Sequence, residues 1–442
     1  MRLPQSRSFA SYLGIVLFLA LAASDVAADG WKIQLMGGKG LSSSYAGRSV
    51  LAEDASAVWF NPAAIAWLPG EAQLTAGAPI ISYQLDFHDS GSRSLLGQSL
   101  SGDKTRNGGK TAAVPHVYFA TALSDRWRFG FSFNAPYGLG TNYGETWVGR
   151  YHATETTLTV FNINPALAVR LNDAVALGFG LDVQRSQAVL ANRIDFGSIG
   201  AASGLPLSPQ GHDGKVEFTG SDWAAGFNAG LRWQASRRTA VGIAYRSQIE
   251  HALRGTADFT VPAAAGALTA GGRVFSDTEA EVILPMPHEL SVSASHDLNR
   301  RWTLLGDATW TRWSSFKELR VTFENPAQPT IQQPANWRDS KRVAVGAKGA
   351  LTDRWSFRTG AAYETAPVPA ATRTPRLPEE NHTWLSAGAT YAGSNRWSFD
   401  AHVSHLITPD AAVSLTDPAA GQLIGDVHWR LTVAGVSVTR RF

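Results

Sequence analysis

The chain has 442 residues, 39 of them Lys or Arg and 36 Asp or Glu, and no cysteine. A disulfide scaffold is therefore excluded, and the near-neutral balance carries no electrostatic footprint for a nucleic-acid partner. Hydrophobic residues make up 44%, yet nothing beyond the N-terminus approaches the run of ~20 apolar residues that a spanning helix needs. The 42 glycines, together with abundant Trp, Phe and Tyr, favour an all-β chain.

At the N-terminus Arg2 and Arg7 precede an apolar run from Tyr12 to Ala23, and Val26-Ala27-Ala28 supplies small residues at cleavage positions. This is the pattern of a secretory leader over 1–28, with cleavage expected after Ala28. Loss of Arg2, Arg7 and Asp25 leaves 37 basic and 35 acidic residues. The next stretch, Leu41–Gly70, resembles neither the leader nor a strand. It opens on small polar residues, carries the acidic pair Glu53 and Asp54, and ends in an apolar run broken by Asn61-Pro62-Ala63. We read 29–70 as a plug and 71–442 as the body that it fills.

From Ala72 onward the residues alternate. In Arg126–Ala135, Trp127, Phe129, Phe131 and Phe133 share one face, with Arg128, Gly130, Ser132 and Asn134 on the other. Val175, Leu177, Phe179, Leu181 and Val183 likewise oppose Ala176, Gly178, Gly180, Asp182 and Gln184. Arg354–Glu364 repeats the pattern. Period-two alternation of this length predicts strands with one apolar face, at or beyond the ~9–11 residues of a tilted membrane strand.

Short turns are expected at Ser124-Asp125, Asn172-Asp173, Ala235–Arg237, Asn299-Arg300, Thr352-Asp353 and Ser394-Asn395. They alternate strictly with long polar loops near 88–112, 137–153, 188–218, 256–278, 317–337, 366–378 and 409–425. Tight periplasmic turns alternating with long extracellular loops are the layout of an outer-membrane barrel, here about 14-stranded and antiparallel. Arg-Trp follows four of the turns, which would set Trp127, Trp302, Trp355 and Trp397 at one depth, as in an interfacial aromatic girdle. The chain ends in Phe442, similar to the C-terminal signal read by the barrel-assembly machinery. Arg440 departs from that signal, because an aromatic or apolar residue is usual there.

The stretch YAGRSVLAEDASAVWFNPAAIAWL resembles the N-terminal hatch of the FadL-type outer-membrane transporters of long-chain fatty acids and aromatic hydrocarbons, with Asn61-Pro62-Ala63 matching that family's NPA element. NAPYGLGTNYGETWVGRYHA at 134–153, NINPALAVRLND at 162–173 and DLNRRWTLLGDATWTRWSSFKEL at 297–319 agree as well, so the resemblance covers the whole mature chain. It implies a monomeric barrel in the Gram-negative outer membrane, surrounded by lipid, with a lumen blocked by the N-terminal segment. It further implies passive uptake of hydrophobic compounds, captured at extracellular loops and released sideways through a kinked third strand.

Several residues can be set against that implied mechanism. Asn134, Pro136, Tyr137 and Gly138 fall where β-pairing should weaken, because proline removes a donor and glycine permits bulges. Pro136 either ends the strand or kinks it, and the resemblance selects the kink. Ile194, Phe196, Ile199, Phe259 and Phe275, with neighbours such as Leu190, are apolar residues in polar loops suited to capturing an apolar chain. Arg185 and Arg193 are candidate partners for a carboxylate, whereas Arg342, Lys348 and Arg358 fall on lumen faces as structural charges. An uncharged hydrocarbon would need no such cation.

Neither catalytic residues, nor a metal site, nor a cofactor is expected. The chain has no G-x-S-x-G, no H-E-x-x-H and no phosphate-binding G-x-x-x-x-G-K-[ST] motif. A barrel enzyme, an open porin and an adhesin or phage receptor are the competing functions. The porin would need an unobstructed lumen, which residues 29–70 argue against.

Overall fold

The computed structural model describes residues 29–269, 271–393 and 396–442. The leader and the Ser394-Asn395 turn lie outside the described residues. The local chemistry that sets the fold sits in the tight turns. Leu123, Leu171, Leu298 and Leu351 each donate their backbone N–H to the carbonyl four residues on, all at 2.9 Å. The next residue supplies a side-chain oxygen, from Ser124, Asn172, Asn299 or Thr352, that accepts the N–H groups two and three residues on. Ser236 does the same in its turn. Short polar side chains that hold their own backbone in this way are what make such dipeptides turn formers.

These turns join fourteen antiparallel strands into a closed barrel. They are β1 (Ala72–Gly77, then Ile80–Asp89), β2 (Thr105–Asn107, Thr111–Ala113, His116–Ala122), β3 (Trp127–Asn142), β4 (Glu155–Arg170), β5 (Val175–Asp195), β6 (Asp213–Gln234) and β7 (Thr239–Arg246, Ile249–Thr260). The ring continues through β8 (Thr278–Met286, Glu289–Asp297), β9 (Trp302–Thr311, Glu318–Phe323), β10 (Ile331–Pro334, Ser340–Ala350), β11 (Trp355–Glu364), β12 (His382–Ala392), β13 (Trp397–Ile407, Ala411–Asp417) and β14 (Gly421–Arg441). It closes where β14 pairs with β1, from Gln73↔Arg441 to Asp89↔Gly425. Closure leaves no edge strand, a condition of spanning lipid with sheet.

The two faces separate as the alternation requires. On β5, Leu177, Phe179, Leu181 and Val183 point outward while Ala176, Asp182 and Gln184 are buried within. On β14 the outward Val436 is 65% exposed and the inward Thr439 is buried. Trp127, Trp302, Trp355 and Trp397 all stand exposed on the outer surface, each as the first residue of its strand. Arg440 also faces outward, and its guanidinium lies between the rings of Trp397 and Phe442 at 5.1 and 4.9 Å.

The long loops are shorter than the sequence suggests. β5 and β6 run for 21 and 22 residues and stay paired out to Asp195↔Asp213, so the expected loop at 188–218 contracts to 196–212. The fourth loop likewise contracts to 261–277, and strand segments occupy parts of 317–337 and 409–425. Beyond the lipid both faces of a strand meet water or other loops, so the apolar alternation fades although the ladder continues.

Residues 29–70 follow a different course. They form two single-turn helices, α1 (Gly38–Leu41) and α2 (Ala57–Phe60), and a 3-10 turn at Pro62–Trp67. Helices this short have no stability of their own. They persist because Ala46, Val50, Ala55, Val58 and Ala63–Ile65 are buried against the wall. The segment touches inward-facing groups of β1 through β13, which is possible only from inside the ring.

The turn chemistry is testable. Replacing Asn299 by Ala leaves two backbone N–H groups without their acceptor and should lower the unfolding free energy by about 1 kcal/mol, read from urea titration of the barrel in lipid vesicles. An unchanged midpoint would mean that these bonds contribute nothing to the turn.

Candidate functional site

The element at Asn61-Pro62-Ala63 is a helix cap docked on the wall. Asn61 Oδ1 accepts the Ala63 N–H at 2.9 Å, and Pro62 occupies the first helical position, where its missing donor costs nothing. Asn61 Nδ2 donates to the carbonyls of Ser49 (2.5 Å) and Leu231 (3.0 Å), joining two turns of the segment to each other and to β6. Two wall glycines make room for this contact. A Cβ at Gly178 would stand 2.2 Å from Ala63 N, and one at Gly230 would stand 1.9 Å from Asn61 Oδ1. The backbones approach closely because neither position has a side chain.

Charge fixes the rest of the segment. Glu53 pairs with Lys348 and, at 2.5 Å, with Arg358. Burial alone would raise its carboxyl, but the two cations outweigh that and hold it well below the ordinary carboxylate range. Asp54 caps Ser56 N at 2.9 Å and lies 3.7 Å from Lys39. Arg48 reaches Glu289 (3.3 Å) and Asp307 (3.6 Å), and Gln34 donates to both oxygens of Glu364. Wall arginines meet backbone carbonyls of the segment: Arg170 to Ala66 and Arg246 to Trp59, which the helical turns leave open, and Arg232 to Val50 and Arg342 to Ser44 in the turns between them. Arg246 also lies 3.5 Å over the Trp59 ring. Arg342, Lys348 and Arg358 thus all serve the lumen segment.

β3 is irregular at one place. It runs through Pro136, but its register with β4 shifts between Asn134↔Asn162 and Tyr137↔Val160, so Ala135 and Pro136 together oppose Phe161. On its other side the last rung to β2 is Val117↔Phe133, and the next bond is Asn142 N–H to Gly108 O at 2.9 Å. Among the described residues no ladder joins β2 to residues 134–141 of β3. Partners come from inside instead: Ile33 N–H donates to Pro136 O and Gly138 N–H donates to Trp31 O, both at 2.8 Å. Tyr137 is buried here beside a small cavity that Lys32, Arg48, Arg246 and Glu289 also line.

Next to this place lies a partly open cavity with a predominantly apolar lining. Leu139 of β3, Leu158 of β4 and Ala188 and Leu190 of β5 form one side. Leu284, Phe316, Leu319, Trp337, Val368 and Leu377 form the other, and the Trp31 ring closes it. Trp31 packs on Trp313, Phe316 and Trp337 with centroids 4.6–5.1 Å apart. One cation reaches the lining. Arg376 donates to the carbonyls of Glu155 (3.0 Å), His152 (3.1 Å) and Ala191 (3.4 Å) and to Thr156 Oγ1 (2.7 Å). Among the described residues no carboxylate pairs with it. Burial pulls its pKa down to about 10, so it remains charged at neutral pH.

The cations chosen from sequence lie elsewhere. Arg185 is corrected: its neighbours Gln184 and Ser186 face inward, so alternation turns Arg185 outward, where it lies 5.5 Å from the Trp223 ring. Arg193 is spoken for at the loop rim by Glu145 (3.2 Å) and the Asp213 carbonyl (3.0 Å). Phe196, Phe259 and Phe275 do come together across two loops, with centroids 5.0 and 6.0 Å apart. Ile194 and Ile199 are half-buried nearby, and none of the five lines the cavity. Arg376 and Trp31 were not singled out from the sequence. An isolated Trp just past the leader was the one available signal; nothing separates Arg376 from the other polar residues of its loop.

The family model "Outer membrane protein transport protein (OMPP1/FadL/TodX)" matches residues 19–442. The chain belongs to this family. It is an outer-membrane protein of a group that transports hydrophobic compounds. A long-chain fatty acid transport protein of Salmonella typhi is 29% identical over 410 residues, covering 89% of this chain and 90% of its own length. A solved FadL homologue of Pseudomonas aeruginosa superposes with a TM-score of 0.86 at 25% identity, over 95% of this chain and all of the other. The toluene transporter TbuX of Ralstonia pickettii shares the fold, with a TM-score of 0.68 at 20% identity over 92% of this chain and 98% of the other.

The close contact at Gly230 gives a direct test. Gly230→Val should displace Asn61 and loosen the segment without unfolding the barrel, raising small-solute entry in liposome swelling assays several-fold. Wild-type swelling in a correctly inserted variant would mean that this docking does not seal the lumen.

Proposed function

We propose that this protein takes up long-chain fatty acids by passive diffusion, with residues 29–70 acting as a hatch and the gap between β2 and β3 as the exit into the bilayer. The observation that carries the reading is the pairing of an apolar cavity with a cation that has no acid of its own. Each CH₂ moved from water into such a cavity gains ~0.8 kcal/mol, so an acyl chain supplies most of its own binding energy. Its carboxylate would otherwise be buried without a partner, and Arg376 offers a planar, charged donor at the lining.

The exit follows from the same accounting of contacts. An apolar molecule gains nothing by entering water in the lumen, where the segment's ion pairs and carbonyl bonds would also have to be broken. At residues 134–141 the wall lacks its β2 ladder, and Leu139 links that gap to the cavity. Release of the Trp31–Ile33 backbone from Pro136 and Gly138 opens a path that needs only two hydrogen bonds to be exchanged. The loop aromatics Phe196, Phe259 and Phe275 suit a first capture surface above the cavity. The outward tryptophans suit an interfacial girdle, and the β14 terminus with Phe442 a contact for barrel assembly. No energy-coupling motif exists in the chain, so consumption of substrate inside the cell supplies the gradient.

The aromatic lining formed by Trp31, Phe316 and Trp337 favours a second reading, transport of aromatic hydrocarbons. Arg376→Met separates the two. Loss of a charged hydrogen bond of about 1.5–3 kcal/mol should weaken binding of a long-chain fatty acid tenfold or more in calorimetry. Binding of an uncharged hydrocarbon of equal length should be unchanged. Equal affinity of wild type and variant for the fatty acid would remove the carboxylate reading.

A further inference from the structure

The outer wall at β9 and β10 carries positive charge that nothing in the chain neutralises. Both strands are interrupted at one level, over 312–317 and 335–339, between their two halves. On the turn side of the interruption the outward column is apolar: Leu304 of β9 and Val343 and Val345 of β10 are all exposed. Trp302 opens β9 at the turn end, and Trp310 stands on the same face eight positions further along, opposite Lys341. At ~3.4 Å per residue on a strand tilted ~40°, the two tryptophans differ in depth by roughly 20 Å, close to the ~25 Å of an outer-membrane apolar band. Trp310 thus marks the loop-side edge of the lipid on this face.

Four cations gather at that edge. Alternation turns Arg312 and Lys341 outward beside Trp310, since Thr311, Trp313, Ser340 and Arg342 are buried within. Lys317 and Arg338 are exposed on the interrupting turns, where Lys317 O accepts the N–H groups of Ala335 and Asn336 at 2.8 Å. The acids nearby are already engaged. Asp339 lies within electrostatic reach of Arg312, yet its oxygens accept Trp310 Nε1 at 3.1 Å and Ser314 N–H at 3.0 Å. Glu318 is held by Arg320 at 2.6 Å. Among the described residues no carboxylate forms an ion pair with Arg312, Lys317, Arg338 or Lys341. Exposed cations on other faces of the loop end do have acids: Arg254 meets Glu281 at 2.7 Å, and Arg430 meets Asp86 at 2.9 Å.

We propose that this edge docks the phosphorylated head of an outer-leaflet glycolipid, the lipid A part of lipopolysaccharide, with its acyl chains lying along Leu304, Val343 and Val345. Position selects the occupant. The cations stand at headgroup depth on the loop side, where lipid A forms the leaflet of a Gram-negative outer membrane and its sugar phosphates are the anions fixed at that level. Arg312 and Arg338 offer planar forks to phosphate oxygens, and the two lysines add compact charges. Basic clusters at the end of a membrane-spanning segment hold anionic headgroups for this reason. Trp310, its indole N–H satisfied by Asp339, presents a ring suited to the interface. The docking edge also backs onto the cavity. Phe316 and Trp337, the chain neighbours of Lys317 and Arg338, line that cavity, and Trp337 N–H donates to Phe316 O at 3.1 Å. A glycolipid held by the four cations therefore braces the aromatic wall from outside. The docking does not depend on which compound the barrel carries.

The test uses the intact protein, purified from outer membranes and stripped of lipid by detergent exchange. Native mass spectrometry follows its titration with lipid A, with lipid A dephosphorylated at both sugars, and with phosphatidylglycerol, all in the same detergent. Wild type should bind lipid A about tenfold or more tightly than either of the others, a comparison that needs no variant. Arg312→Gln/Lys341→Gln, checked for barrel folding by heat-modifiable gel migration, should lose most of that preference. Arg254→Gln/Arg430→Gln, on other faces of the loop end, should bind as wild type does. Equal affinity for the phosphorylated and dephosphorylated forms, phosphatidylglycerol bound as tightly as lipid A, an unaffected Arg312→Gln/Lys341→Gln barrel, or an equal loss in the Arg254→Gln/Arg430→Gln pair would each overturn the proposal.

Discussion

Between Phe133 and Asn142 the wall strand β3 gives up its ladder to β2, and the backbone of Trp31–Ile33 takes its place from inside the lumen. A membrane wall cannot leave N–H and C=O groups without partners, because each one facing hydrocarbon costs several kcal/mol. Pro136 removes a donor and forces the bulge, and the N-terminal segment repairs what the bulge exposes. One small set of main-chain bonds therefore joins three features: the gap in the wall, the seat of the hatch and the Trp31 ring that closes the cavity. Moving any of them disturbs the other two.

The remainder of the hatch is held by contacts of a different kind. Gly178 and Gly230 let it approach the wall, Asn61 ties the Ser49 turn and its own turn to β6, and Glu53 and Arg48 place charge against inward-facing partners. Removing one member of a buried pair costs about 3–5 kcal/mol, because the other charge stays buried without compensation. A segment carrying several such pairs does not leave as a unit without an energy source. The stretch before Gly37 adds main-chain bonds to the irregular strand to its side-chain contacts, Lys32 with Glu289 and Gln34 with Glu364, and the cavity and gap lie there.

The barrel was legible because its physics is periodic. Strands such as Val175–Gln184 must alternate to face lipid and lumen, and turns such as Asn299-Arg300 need a short polar side chain to hold their own backbone. Loop boundaries were misjudged because β5 and β6 continue beyond the lipid, where neither face is under apolar selection. Arg185 shows the limit of placing a residue by region, since its parity alone sends it outward. Arg376 was illegible because its character comes from carbonyls of His152, Glu155 and Ala191 that only the fold brings together.

The most direct measurement fixes the body of the hatch and asks whether substrate still passes. Ser49 and Ser291 are buried with their hydroxyls in contact, and the chain has no native cysteine to compete. A Ser49→Cys/Ser291→Cys variant should therefore form a single disulfide between hatch and wall, leaving residues 29–37 free to move. If substrate leaves through the gap beside β3, the oxidised variant takes up labelled long-chain fatty acid at nearly the rate of its reduced form. Loss of uptake on oxidation, restored by reductant, would show that the hatch itself must move away and would contradict the lateral route.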